Sequence, residues 1–137
     1  MATFNKFNSF VEAEAEKVHN LGSDTLTVAL CAAANAPTAS NTVLANLTQI
    51  SYTNLSSRAI TTVSSSQTSG TYKLVLTDLV LTASGSVGPF RYAVIYNDTA
   101  ASDELIGYVD YSSDITLSTS ETFTLDFDGT NGLIQKT

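Results

Sequence analysis

Two carboxylates and an amide lie close together in Asp126-Phe127-Asp128-Gly129-Thr130-Asn131-Gly132. On an extended segment Asp126 and Asp128 would point the same way, because side chains alternate along a strand. With Asn131 they would offer the hard oxygen ligands that Ca²⁺ prefers. The spacing fails as an EF-hand loop: counted from Asp126, the sixth residue is Asn131 rather than glycine and the twelfth is Thr137 rather than glutamate. Asp-Gly and Asn-Gly are also ordinary turn formers. Asp126, Asp128 and Asn131 are thus the candidates for a metal, and the expectation is a metal-free turn.

Other chemistry is sparse. The chain has one His, one Cys and no Trp, and it contains neither a G-x-S-x-G nucleophile turn nor a glycine loop that could cradle phosphate. Ser-rich stretches supply hydroxyls without a base to activate them, so no catalytic residue and no cofactor is expected. His19 is placed in the last turn of an N-terminal helix, where an imidazolium would suit the helix dipole. A packed, structural His is the preferred reading there. Cys31 cannot form an intrachain disulfide and is expected to pack as a small apolar residue at a strand end. Tyr52, Tyr72, Tyr92, Tyr96, Tyr108 and Tyr111 could stack on sugars, but most sit within strand patterns and read as core or interface.

Those residues need elements to hold them. Phe4, Phe7, Val11, Ala15 and Val18 recur at helical steps, Ser9-Phe10-Val11-Glu12 matches a capping box, and Gly22 would end the helix. Phe4, Phe7 and Phe10 have two open readings: they close one end of a β-core, or they dock an N-terminal arm on a neighbouring subunit. The division expected is an arm and helix over 1–22 and a β-sandwich over 23–137, in one structural unit.

After Gly22 the pattern turns to β. Leu26, Val28 and Leu30 alternate with Thr25, Thr27 and Ala29, while Thr42 to Ile50 fits a helical turn as well as a strand. A strand is expected over Ser57 to Val63, and Ser64 to Gly70 reads as an exposed, mobile loop. Tyr72, Leu74 and Leu76 share one face, but Leu79 and Leu81 are out of phase with them. A bulge or bend at Thr77-Asp78, where the chain passes between sheets, would restore the register.

Gly88 to Thr99 reads as a turn, a central strand and a turn. Phe90, Tyr92, Val94 and Tyr96 fall on one face, and Arg91, Ala93 and Ile95 on the other, so burial on both sides is expected. A strand over Ile106 to Tyr111 follows, and then a final pair, Ile115 to Leu117 with Phe123, Leu125 and Phe127. Seven or eight strands without βαβ alternation favour a mainly β, antiparallel β-sandwich with a short N-terminal helix. A jelly-roll-like form is preferred, since the Cys and Trp pins of an immunoglobulin domain are missing.

Composition bounds the function. The chain of 137 residues is 43% hydrophobic and 14% charged, with hydroxyl residues outnumbering charged ones about two to one. Such a surface costs little to desolvate, which suits contact with other subunits. A net charge of −7 with six scattered Lys and Arg argues against binding nucleic acid. Leu26 to Ala36 imitates a signal sequence but follows Glu12, Glu14 and Glu16 rather than a basic segment, and no apolar run approaches the length of a membrane span. The Asn-x-Ser/Thr triplets at Asn46, Asn54 and Asn97 read as chance in a Ser/Thr-rich chain.

The Gly88–Thr99 stretch, followed by Glu104 to Tyr111 and Ile115 to Asp128, resembles a family of small structural proteins encoded by tailed bacteriophages. Phe4-Asn5-Lys6-Phe7, Val18-His19-Asn20-Leu21 and Thr25 to Leu30 extend the likeness over most of the chain. The resemblance implies a virion protein and carries no catalytic motif with it. Within that class the expected role is a capsid decoration or cement protein on the shell exterior, assembled in the bacterial host cytoplasm. Its partners would be the major capsid protein and copies of itself, with trimers on local threefold positions. A tail or host-attachment component, contacting a receptor through Ser64 to Gly70 and Thr99 to Asp103, is the alternative, and a carbohydrate-binding module a third.

Overall fold

The computed structural model describes residues 3–137. It is mainly β and antiparallel throughout, with one short helix, as the alternation in the sequence implies. The large sheet holds β1 (Phe4–Lys6), β8 (Leu105–Leu117), β7 (Val87–Asn97), β2 (Leu26–Cys31) and β3 (Ala59–Ile60), in that order. Two small sheets complete the strands: β10 (Ile134–Lys136) with β5 (Thr71–Leu76) and β4 (Thr62–Thr68), and β6 (Leu79–Thr82) with β9 (Thr122–Leu125).

The main core forms where inward residues of the large sheet, among them Leu26, Val28, Leu30, Ala93, Ile95 and Ile106, meet those of the small sheets. Leu74, Leu76 and Ile134 come from one small sheet, and Leu81 and Leu125 from the other. The large sheet is covered on its other face as well. There Ala29, Cys31, Tyr92, Val94, Tyr96 and Leu105 pack with Phe7, and Leu44 and Leu47 from the long 32–58 excursion lie against them.

Both central strands are consequently buried on two sides. All of β2 is buried, and β7 is buried without a break from Tyr92 to Asn97. One residue departs from the expected alternation: Phe90 belongs to the main core with Ala93 and Ile95, not to the face of Tyr92 and Val94. The register against β8 shifts between Phe90 and Tyr92, and that irregularity turns Phe90 over. Opposite it, Tyr92 pairs with Asp110 but Phe90 with Ile115, so β8 bulges around Ser112, whose φ is 67°. The same bulge lets Ile115–Leu117 continue β8, so these residues do not pair with Phe123 to Leu125 as expected. β9 pairs with β6 instead. Gly88-Pro89, expected as a turn, lies within β7, where the register also shifts between Val87 and Phe90.

The strand switch at Thr77-Asp78 is as the phase slip implies: β5 ends at Leu76 in one small sheet and β6 begins at Leu79 in the other. Asp78 secures the crossing by accepting the Phe127 backbone N–H at 2.8 Å. The Ser64–Gly70 loop is corrected. Ser64 to Thr68 lie in β4, paired with β5 from Val75 to Thr71, and only Ser69-Gly70 form the turn. Both turn residues have positive φ, 52° and 84°, the backbone of a tight I′ hairpin whose twist matches the flanking strands. Thr42 to Ile50 resolves as a 3₁₀ turn, Leu44–Asn46, pinned by Asn46 Oδ1 accepting the Thr42 and Val43 N–H groups.

The helix, α1 (Ser9–Ala15), is shorter than its pattern suggests. Asn8 occupies the N-cap position without a side-chain cap, so the Ser9 capping box is not used. At the other end Lys17 takes a φ of 69°, Lys17 N–H donates to Glu14 O, and Val18 N–H donates to Ala13 O. This is a Schellman closure with lysine where glycine is usual, and it stops the helix well before Gly22. The 1–22 segment is also more than an arm, because β1 is an edge strand of the large sheet, with Phe4 opposite Val109.

Candidate functional site

Phe7 and Phe10 are corrected as candidates for contact with a neighbour. They are 0% and 3% exposed and fill the domain's own two cores, so the closing of the β-core is the reading that fits. Phe4 differs. It is half-buried, with its ring lying over Gly107, where a Cβ would strike Phe4 Cε2 and Cζ.

Phe4 forms one wall of a cavity of about 320 Å³ between the edge of the large sheet, β9 and the segment that leads to β10. Val109 and Tyr111 come from β8, Leu125 from β9, and Phe127 and Leu133 from the segment that joins β9 to β10. Asp126 and Asp128 stand on the same lining. The pocket therefore joins residues singled out for separate reasons, Phe4 as a contact and the two aspartates as oxygen ligands. Asn131 lies beside it, tied to Asp128.

Asp128 is committed to its turn. Its Oδ1 accepts the Thr130 and Asn131 backbone N–H groups at 2.8 Å, and its Oδ2 accepts Asn131 Nδ2 at 3.1 Å. These hydrogen bonds hold its carboxyl below the ordinary carboxylate range, so it stays ionised. Among the described residues no group of three or more His, Cys, Asp or Glu is placed to hold a metal ion. The pocket wall is stiff: Tyr111 packs edge-on against Phe123 at 5.0 Å, and Phe123 against the buried Phe90 at 5.4 Å. Burial pushes the Tyr111 phenol up to about 12, so it presents a neutral hydroxyl.

A second polar constellation links the segment after α1 to the end of β7. Asn97 is fully buried, and its Nδ2 donates to His19 Nδ1 at 3.0 Å and to Asp24 Oδ2 at 2.6 Å. Its Oδ1 accepts the Thr99 and Ala100 backbone N–H groups. Those two donors fix the orientation of the amide, so His19 Nδ1 must accept and the ring proton sits on Nε2. Nε2 is buried without a hydrogen-bond partner, as is Glu104 Oε2. Desolvation lowers the His19 pKa, and the nearby Glu104, Asp24 and Glu14 oppose it less strongly. His19 lies four residues beyond α1 and favours the neutral form, which corrects the imidazolium at a helix end. Asn97, noticed only as a chance triplet, is the hub of this network. No sequence signal marked it, because its partners are 73 and 78 positions away.

The remaining candidates are structural. Cys31 is buried in β2, and desolvation raises its thiol to about 11. Tyr92 and Tyr96 are buried, and Tyr52 lies under the Arg58 guanidinium at 3.7 Å while its hydroxyl accepts the Leu30 N–H. Tyr72 bonds Ser65, and Tyr108 packs on Phe7. Arg91 and Asp110 pair through two hydrogen bonds across the β8 bulge. No protein-family model, curated protein or solved structure matches the chain.

Proposed function

We propose that this is a structural virion protein of a tailed phage, a capsid decoration protein that binds the shell exterior and bridges capsomers. The observation that carries the reading is the outer edge of β4. This seven-residue strand ends the order β10-β5-β4, and its sequence, Thr-Val-Ser-Ser-Ser-Gln-Thr, has no charge and no proline. Natural sheets usually blunt such an edge with Lys, Pro or a bulge, since its N–H and C=O groups template pairing with another chain. Here the one irregularity lies at the start of the strand, between Thr62 and Ser64, and Ser64 to Thr68 run in regular register beside β5. Val63 on this strand is 63% exposed and Val80 on β6 is 51% exposed, amid a surface rich in hydroxyls. A surface of this kind supports docking by strand addition and shallow apolar contact. Each docked copy would stabilise the assembled shell over its free subunits by its own binding free energy.

Stoichiometry of purified virions tests the proposal. Hundreds of copies per particle, with a shell that loses heat resistance when the gene is deleted, is the expected result. Detection in infected-cell lysate but not in purified particles would overturn it. A handful of copies together with lost host adsorption would assign the protein to the tail.

A further inference from the structure

We infer that the Phe4–Tyr111–Leu133 pocket is an anchor socket for a partner-protein segment that presents a large apolar side chain beside a lysine or arginine. This deepens the docking reading above and rests on it. The walls are apolar, with Phe4, Val109, Tyr111, Leu125, Phe127 and Leu133 around about 320 Å³, enough for one large side chain and its neighbouring methylenes. The socket is preformed. Tyr111 is braced edge-on by Phe123, which packs in turn on Phe90, Leu133 is held by its N–H to Leu74 O at 2.8 Å, and Asp128 by its three hydrogen bonds. An occupant therefore pays little for ordering the site.

The charge on the lining selects the occupant. Asp126 is exposed on the lining, whereas Asp128 is tied into its turn with Lys73, bonded to Thr130 O at 3.2 Å, beside it, so the uncompensated negative charge of the socket is that of Asp126. Its complement is a cation, and a chain of net charge −7 supplies few. The occupant is thus a segment of another protein, with its apolar side chain seated between Tyr111 and Leu133 and its cation against Asp126. A free metal ion does not fit the site, because three hydrogen bonds already occupy Asp128 and the walls carry carbon.

The test uses the full chain, labelled with ¹⁵N, and two tetrapeptides: acetyl-Gly-Phe-Lys-Gly-amide and its Phe-Glu counterpart. The Phe-Lys peptide is expected to shift the amides of Val109, Tyr111, Phe127 and Leu133 and to bind about three- to tenfold tighter than Phe-Glu, the scale of an exposed ion pair, with the preference fading in salt. Leu133→Glu should abolish binding. Should that variant lose its dispersed spectrum, Asp126→Lys at an exposed position decides the matter by reversing the preference. Equal binding of both peptides, shifts confined to other residues, or no shifts would overturn the socket. The two readings fail separately: peptide binding by a protein absent from virions removes the virion role alone. Particle attachment that is unchanged by Asp126→Lys removes the socket alone.

Discussion

Asn97 is the position where one atom exchange should change the sign of a measurable slope. Its side chain donates to His19 and Asp24 and accepts from Thr99 and Ala100 with none of its surface exposed. Asn97→Ala deletes all of this. At about 1 kcal/mol for each of the three neutral hydrogen bonds and about 1.5–3 kcal/mol for the one to a carboxylate, the loss is about 4.5–6 kcal/mol. That is a large share of the roughly 5–15 kcal/mol that holds a domain of this kind.

Asn97→Asp, made in an Asp24→Asn background so that the new carboxylate does not face a second one at 2.6 Å, is the sharper perturbation, since it keeps the acceptor role and loses both donors. In the native chain burial lowers the His19 pKa from 6.5, so the unfolded state binds more protons and stability falls as pH drops below about 6.5 through the lowered folded value. In the variant a carboxylate faces Nδ1 and favours the imidazolium, so the folded pKa rises. Its contribution is then full below the unfolded pKa and is lost as pH rises through the folded one. Urea titrations between pH 5 and 8, each referenced to the same background with His19→Gln, isolate the term. The two slopes should have opposite signs, neither exceeding about 1.4 kcal/mol per pH unit, the limit for one proton. Parallel slopes would refute the tautomer and the geometry behind it.

Tyr92→Ala or Val94→Ala, which empty the outer core of the large sheet, should each cost about 2–5 kcal/mol in urea unfolding, whereas Val63→Thr on exposed β4 should change it by less than about 0.5 kcal/mol. Gly107→Ala should push the Phe4 ring aside and loosen β1, read as faster amide exchange at Phe4–Lys6 with the exchange of β2 and β7 retained. Cys31, buried and with its thiol at about 11, should resist a thiol-reactive disulfide at pH 8 until urea unfolds the chain.

Legibility followed hydrophobic period. β7 announces itself because both of its faces are apolar, β2 by the alternation of Leu26, Val28 and Leu30 with Thr and Ala, though not its burial on both sides, and the phase slip between Leu76 and Leu79 marks a strand leaving one sheet for another. β4 was hidden because serine runs carry no hydrophobic signal, and Ser69-Gly70, which forms the tight hairpin turn, was read with them as one loop. The helix end was misplaced because Lys17 adopts a backbone that glycine ordinarily takes, so Gly22 drew the boundary instead. The pocket was legible only in pieces. Phe4 and the two aspartates are more than 120 positions apart in sequence, and their meeting depends on β1 pairing with β8. The Asn97 hub depends likewise on contacts that no local pattern encodes.

The pairing of β2 with β7 has a cost during synthesis. Leu-Thr-Val-Ala-Leu-Cys is buried on both faces, yet both of its sheet neighbours, β3 and β7, emerge later, and β7 is complete only at Asn97, 66 residues after Cys31. At about 5–20 residues per second a nascent chain carries this uncharged, β-prone hexapeptide without its main partner for about 3–13 s. Segments of that composition self-associate when exposed. High-level expression should thus partition into inclusion material by translation rate, and slower growth temperatures, which lengthen the wait but also weaken hydrophobic association, should favour the soluble chain.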